Sequence, residues 1–94
     1  MRRRTALVTG ASQGIGFELA KILASKGYDL VLIARNKSKL EEIRDEFNKS
    51  FSINVHVIIC DLSQVQSAEA IYDEVRKKDL NIDILINNAG IGDW

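Results

Sequence analysis

A single α/β domain on a parallel sheet, running β-α-β-α-β-α-β, is what this sequence predicts. Three observations carry that expectation. Four short apolar runs alternate with three helix-period patterns. One of the runs shows no polar alternation, as suits a strand covered on both faces. A turn holding three glycines separates the first run from the first helical pattern. At 94 residues the chain holds one small domain, residues 1–94, and is too short for two.

The first strand is expected around Ala6–Val8 and runs into the glycine turn. Beyond the turn, Ile15, Leu19, Ile22 and Leu23 repeat at helical spacing, and Gly27 supplies a stop just past Lys26. "LVLIA", Leu30–Ala34, is the uninterrupted run and the second strand. Leu40, Ile43 and Phe47 mark a second helix, with Ser38 and Glu41 offering a capping box and Asn36 a competing cap. The third strand, Val55–Ile59, is broken once by His56, read as an imidazole tolerated at a strand edge because no second ligand type is near. Val65, Ala68, Tyr72 and Val75 mark a third helix, opened by Ser63 with Gln66 three residues on. Arg76, Lys77 and Lys78 fall in its last turn, where cations suit the helix dipole, so they read as a solvated helix end. Ile84–Ile86 is the fourth strand. With no proline, no low-complexity tract and no linker, the alternation is architectural.

Composition narrows the function classes. Hydrophobic residues make up 46% and charged residues 28%, ordinary values for a globular chain. Thirteen basic residues balance thirteen acidic ones, which removes the usual electrostatic case for nucleic acid or an anionic membrane surface. The apolar run after "MRRR" is too short for a signal-peptide core, and no segment approaches membrane-spanning length. Cys60 is the single cysteine, so no intrachain disulfide can form. It reads as a small buried hydrophobe, and the expected setting is soluble, reducing and cytoplasmic.

The chemistry points to the glycine turn. In parallel α/β sheets ligands bind beyond the carboxyl ends of the strands, and Gly10, Gly14 and Gly16 fall at that end of the first strand. Missing side chains let the chain turn tightly and a ligand approach the backbone. The following helix points unpaired N–H groups and its positive dipole end at the same place, which favours a pyrophosphate.

The spacing Gly-x-x-x-Gly-x-Gly differs from the common dinucleotide spacing Gly-x-Gly-x-x-Gly. "TGASQGIG", Thr9–Gly16, instead resembles the cofactor loop of the short-chain dehydrogenase/reductase family, and "NNAG", Asn87–Gly90, is similar to its second hallmark. The resemblance covers essentially the whole chain. It implies a Rossmann-type sheet, truncated relative to the family, and NAD or NADP as cofactor. Ser12, Gln13, Gly14, Ile15 and Gly16 would lie at the pyrophosphate. Asp61 would face the adenine amino group, with Leu62 beside the base. Asn87 would tie neighbouring strands together, while Asn88, Ala89 and Gly90 run beside the adenine ribose.

The residue ending the second strand selects between the cofactors: an acid accepts from the ribose 2′-hydroxyl of NAD, and an arginine takes the 2′-phosphate of NADP. Here it is Arg35, whose guanidinium can pair with the phosphate and stack on adenine. Asp29 is acidic but stands at the opposite end of the strand. NADP is therefore expected over NAD, although Gln13 departs from the basic residue that many NADP-preferring relatives place before the second glycine.

Family members reduce a carbonyl or oxidise an alcohol through a tyrosine, a lysine four residues on and an upstream serine. Here Tyr28 is followed four residues later by Leu32, and Tyr72 by Arg76 on the third helix, so neither is carried over. The chain is expected to be the cofactor-binding half of an NAD(P)-dependent oxidoreductase, inactive alone, with a small carbonyl or alcohol substrate in the complete enzyme. The alternatives are a stand-alone NADP(H)-binding regulatory module and a structural remnant. A homo-oligomer is expected, and an open sheet edge at Ile84–Ile86 would promote association.

Overall fold

The computed structural model describes residues 3–60 and 67–88. Its elements are β1 (Thr5–Thr9), α1 (Gly14–Ser25), β2 (Asp29–Ala34), α2 (Lys37–Phe51), β3 (Val55–Ile59), α3 (Ser67–Lys77) and β4 (Ile84–Ile86). The strands lie in the order β3-β2-β1-β4, and every neighbouring pair is parallel. This is the expected α/β alternation in a Rossmann-like sheet. The start proposed for the third helix, Ser63 to Gln66, lies outside the described residues.

Side chains alternate between the two faces of the sheet, as the period of a strand requires. Ala6, Val8, Leu30, Leu32 and Val55 face α1 and α2, where Leu40, Ile43 and Phe47 of α2 bury against them. Leu7, Val31, Ile33 and Ile58 point the other way, toward Ile71 and Val75 of α3. All of Leu30–Ala34 is buried, so the uninterrupted run marks a strand packed on both faces. His56 is half-buried on β3, an edge strand among the described residues. Cys60 follows β3, half-buried against the second cluster.

Helix α1 corrects the expected face. Ile15 is 67% exposed and Ile22 50% exposed, while Gly16, Ala20 and Ala24 are buried. Spaced by four, these small residues form a flat stripe that lets the helix lie close to β1 and β2. Phe17 and Leu23 pack beside it. Bulk hydrophobicity pointed to the isoleucines, but close approach to the sheet favours alanine and glycine. On α3 likewise, Ile71 and Val75 face inward and Tyr72 is 60% exposed. The Arg76 guanidinium lies 5.4 Å from the Tyr72 ring centroid, a cation–π contact.

The helix ends follow local chemistry. Gly27 (φ +87°) closes α1: its N–H donates to the Ala24 carbonyl (3.0 Å), and the Tyr28 N–H to that of Leu23 (3.1 Å). That pair of bonds is the Schellman motif, and glycine takes its left-handed position without strain. Asn36 caps α2, its Oδ1 accepting from the Lys39 N–H at 3.0 Å. Ser38 therefore lies inside the helix and the capping box does not form; asparagine is at least as good a cap as serine and comes two residues earlier. At the amino end of β2, Asp29 Oδ1 accepts from the Asn54 N–H (2.9 Å) and from Arg3 (3.1 Å). That joins the starts of three strands and keeps this carboxylate far from the glycine turn.

Candidate nucleotide-binding site

Chain reversal places the site. From β1 the sheet runs to β2 and β3 on one side and to β4 on the other. The carboxyl ends of β1 and β4 therefore flank a topological switch point, where a crevice opens in sheets of this kind. Gly10, Arg35, Cys60 and Asn87 all follow the carboxyl ends of their strands, because the four strands are parallel.

Gly10 leaves β1 at φ +63°, a left-handed conformation that glycine adopts freely. Ala11 then donates its N–H to the Ile33 carbonyl of β2 at 3.3 Å, pinning the turn across the sheet. Ala11 and Ser12 are buried, whereas Gln13 is exposed. Gln13 is the N-cap of α1 and makes no capping hydrogen bond with its side chain, and the first turn carries no acidic residue. Gly14 opens the helix at φ +62°, and a Cβ there would meet nothing within 4 Å. The first turn of α1 thus keeps N–H groups that no side chain of Gln13 satisfies, at the positive end of the helix dipole.

Gly16 is close-packed for a different reason. A Cβ there would collide with the Gly10 carbonyl oxygen and stand 2.7 Å from Asn88 Nδ2. The first turn of α1 therefore rests directly on the backbone of the glycine turn. Asn88 Nδ2 donates to that same Gly10 carbonyl at 3.4 Å.

Thr9 joins the two motifs, a role that sequence reasoning missed. Its hydroxyl donates to Asn87 Oδ1 at 3.0 Å and accepts from the Asn88 N–H at 2.8 Å. Asn87 thereby ties β4 to β1, as the resemblance implied. The available signal was the threonine before the first glycine, a hydroxyl able both to donate and to accept. The Asn88 side chain braces the turn through its bond to the Gly10 carbonyl.

Arg35 follows β2 directly and is exposed. Asn36 beside it is committed to capping α2. Ile15, on the open side of α1, is exposed at the same end of the sheet. The structure brings together Gly10, Gly14, Gly16 and Asn88 around one turn and leaves Arg35 at the neighbouring strand end. Asp61, Leu62, Ala89 and Gly90 lie outside the described residues. A groove of about 340 Å³ opens on the α3 side of β1 and β4, lined by Leu7, Thr9, Ile71, Tyr72, Val75, Ile82, Leu85 and Asn87. Its walls are mainly aliphatic and aromatic, and none of these residues is charged. Among the described residues no three His, Cys, Asp or Glu side chains group in a way that could hold a metal ion. No helix among them is long and apolar enough to cross a membrane.

Comparison with known proteins agrees with this geometry. The family model described as short chain dehydrogenase matches residues 4–94. The chain is 45% identical over 87 residues to the very-long-chain 3-oxoacyl-CoA reductase of Candida glabrata, covering 90% of this chain and 24% of that protein. The L-sorbose reductase of Gluconobacter frateurii, solved with NADPH and L-sorbose, superposes with a TM-score of 0.89 at 33% identity. That match covers 96% of this chain and 34% of the reductase. A short-chain dehydrogenase from Sphingobium yanoikuyae, solved in complex with NADPH, gives a TM-score of 0.84 at 39% identity, over 93% of this chain and 34% of the other. The chain thus spans between 24% and 34% of the length of these three proteins.

Proposed function

The chain belongs to the short-chain dehydrogenase/reductase family, and from that premise we propose that it holds the adenine half of NADP. It is the dinucleotide-binding part of an oxidoreductase that interconverts carbonyls and alcohols. One observation carries the reading. The N-terminus of α1 is uncapped by its Gln13 side chain, free of acids in its first turn, and opens from a glycine turn at the sheet's switch point. Such an end favours a pyrophosphate through its N–H groups and dipole.

In this reading Ser12 to Gly16 hold the pyrophosphate, and Gly10 supplies the tight turn beneath it. Arg35 takes the 2′-phosphate, which makes NADP the cofactor over NAD. Asp61 and Leu62 attend the base, and Asn88, Ala89 and Gly90 the adenine ribose. NADPH in the two solved relatives supports the choice. When bound, the nicotinamide supplies the hydride chemistry. This chain's own residues bind and orient; its sequence contains no Tyr-x-x-x-Lys to move the proton. A cytoplasmic setting fits the single cysteine, and a net charge of zero favours self-association.

The test is competition and charge reversal. Adenosine 2′,5′-bisphosphate is expected to displace NADP from the chain nearly as well as NADP itself, and nicotinamide mononucleotide not at all. Calorimetric titration reads both, and a carbonyl-reduction assay is expected to show no NADPH turnover. Robust competition by the nicotinamide half would move the site. Arg35→Asp replaces a phosphate partner with a repeller and should reverse the preference for NADP over NAD. One charge-assisted hydrogen bond is worth about 1.5–3 kcal/mol, or roughly tenfold to a hundredfold in affinity. An unchanged ratio of the two dissociation constants would remove Arg35 from the site.

A further inference from the structure

We propose that Asn36 is a second determinant of the cofactor choice, a neutral cap that holds the start of α2 without placing a carboxylate beside Arg35. This role rests on the assignment of the 2′-phosphate to Arg35 and deepens it. Asn36 follows Arg35 directly and is the N-cap of α2, with extended backbone at φ −86° and ψ 97°. Its Oδ1 accepts from the Lys39 N–H at 3.0 Å, and its carbonyl accepts from the Leu40 N–H at 3.0 Å. Those bonds pin Asn36 to a helix whose Leu40, Ile43 and Phe47 are buried against the sheet. On the other side of Arg35 stands Ala34, the last residue of β2, whose carbonyl accepts from the Cys60 N–H at 3.0 Å. The backbone that carries the guanidinium is thus held from both neighbours.

Charge makes the choice of cap informative. Aspartate caps a helix as well as asparagine does, and its charge suits the positive end of the dipole. Helix stability alone therefore favours an acid here. Yet the first turn of α2 holds no acid, and it carries Lys37 and Lys39, both exposed. With Arg35, three cations fall within five residues at an end where the dipole disfavours them. A phosphate bound beside Arg35 reverses that preference, because it is attracted by the cations and would be repelled by an aspartate in place of Asn36. Asparagine meets both demands. Its carboxamide oxygen caps α2, while its Nδ2 makes no hydrogen bond among the described residues. That nitrogen offers two N–H donors where aspartate would present a second, charged oxygen.

Three substitutions of this one side chain separate charge from capping. Calorimetric titration with NADP and with NAD reads the two dissociation constants, and a urea melt reads the cap. Asn36→Asp keeps the cap, so its melt should match or exceed that of the wild type. Its dissociation constant for NADP should nevertheless rise at least about tenfold, while that for NAD stays within about twofold. Asn36→Ser, another neutral cap, should keep the wild-type ratio of the two constants. Asn36→Ala loses the cap, so its melt should fall and both cofactors should weaken together. A wild-type ratio in Asn36→Asp, beside a reversed ratio in Arg35→Asp, would overturn the role of Asn36 and leave the NADP assignment standing. So would an equal loss of NADP affinity in Asn36→Ser and Asn36→Asp, since charge would then not be the cause. An unchanged ratio in both Asn36→Asp and Arg35→Asp, or a chain that binds neither cofactor, would overturn both.

Discussion

Gly16→Ala is expected to abolish dinucleotide binding and to lower the chain's stability by about 3 kcal/mol, the upper end of the usual overpacking cost. The added methyl would overlap the Gly10 carbonyl oxygen, with the Gly10 carbonyl carbon at 2.9 Å and Asn88 Nδ2 at 2.7 Å. Two of those three atoms are backbone, so no rotamer change relieves the clash. Either α1 lifts from the turn or Gly10 shifts, and the second movement breaks the Asn88 to Gly10 hydrogen bond. The comparison that isolates this mechanism is Gly14→Asn. Gly14 is left-handed, at φ +62°, but has open space where a Cβ would go. Asparagine tolerates that conformation better than other side chains, so its cost should stay near 1 kcal/mol, within the range of single backbone-strain effects. Urea melts and NADP titrations of the two variants check the order. Equal melts for Gly16→Ala and the wild type would mean that α1 does not rest on the turn.

Phe47→Ala should destabilise the fold by about 3–5 kcal/mol, the cost typical of emptying a buried aromatic site. Phe47 is fully buried, and its ring centroid lies 5.9 Å from that of Phe17 on α1 and 5.5 Å from that of Phe51. It is the side chain through which α2 grips both α1 and the sheet. A domain of this size has roughly 5–15 kcal/mol in total, so the loss takes a large share of it and should lower the melting temperature by many degrees. Phe47→Leu keeps most of the volume and should cost less than about 1.5 kcal/mol beyond the lost ring contacts. Denaturant midpoints of the pair check this; a Phe47→Ala midpoint close to the wild type would show that the cluster is not held at this residue.

The frame of the candidate site was legible in the sequence. The glycine spacing located the turn, and the position of Arg35 after an apolar run located a strand-end cation, because turn chemistry and strand ends are local properties of the chain. Thr9 was not legible as a brace. Its partners lie 78 and 79 residues away, and nothing local distinguishes a threonine that spans two strands from one that merely ends a strand. The bond from the Asn88 side chain to the Gly10 carbonyl was hidden for the same reason. The capping of α2 was a near miss. Two adequate caps stood two residues apart, and the structure shows which one the helix uses.

By itself the sequence determined the alternation of elements, the parallel sheet that such alternation demands, and the glycine-lined start of α1. Each follows from periodicity, residue volume or backbone freedom within a dozen residues. Only the tertiary structure decided which face of α1 is buried. The hydrophobic repeat ran through Ile15 and Ile22, yet the helix buries Gly16, Ala20 and Ala24. Hydrophobicity states how much a side chain gains from leaving water. The distance between helix and sheet states how much side chain fits, and that distance is set by Gly16 lying on the Gly10 carbonyl, a contact that exists only once the turn and the helix have met.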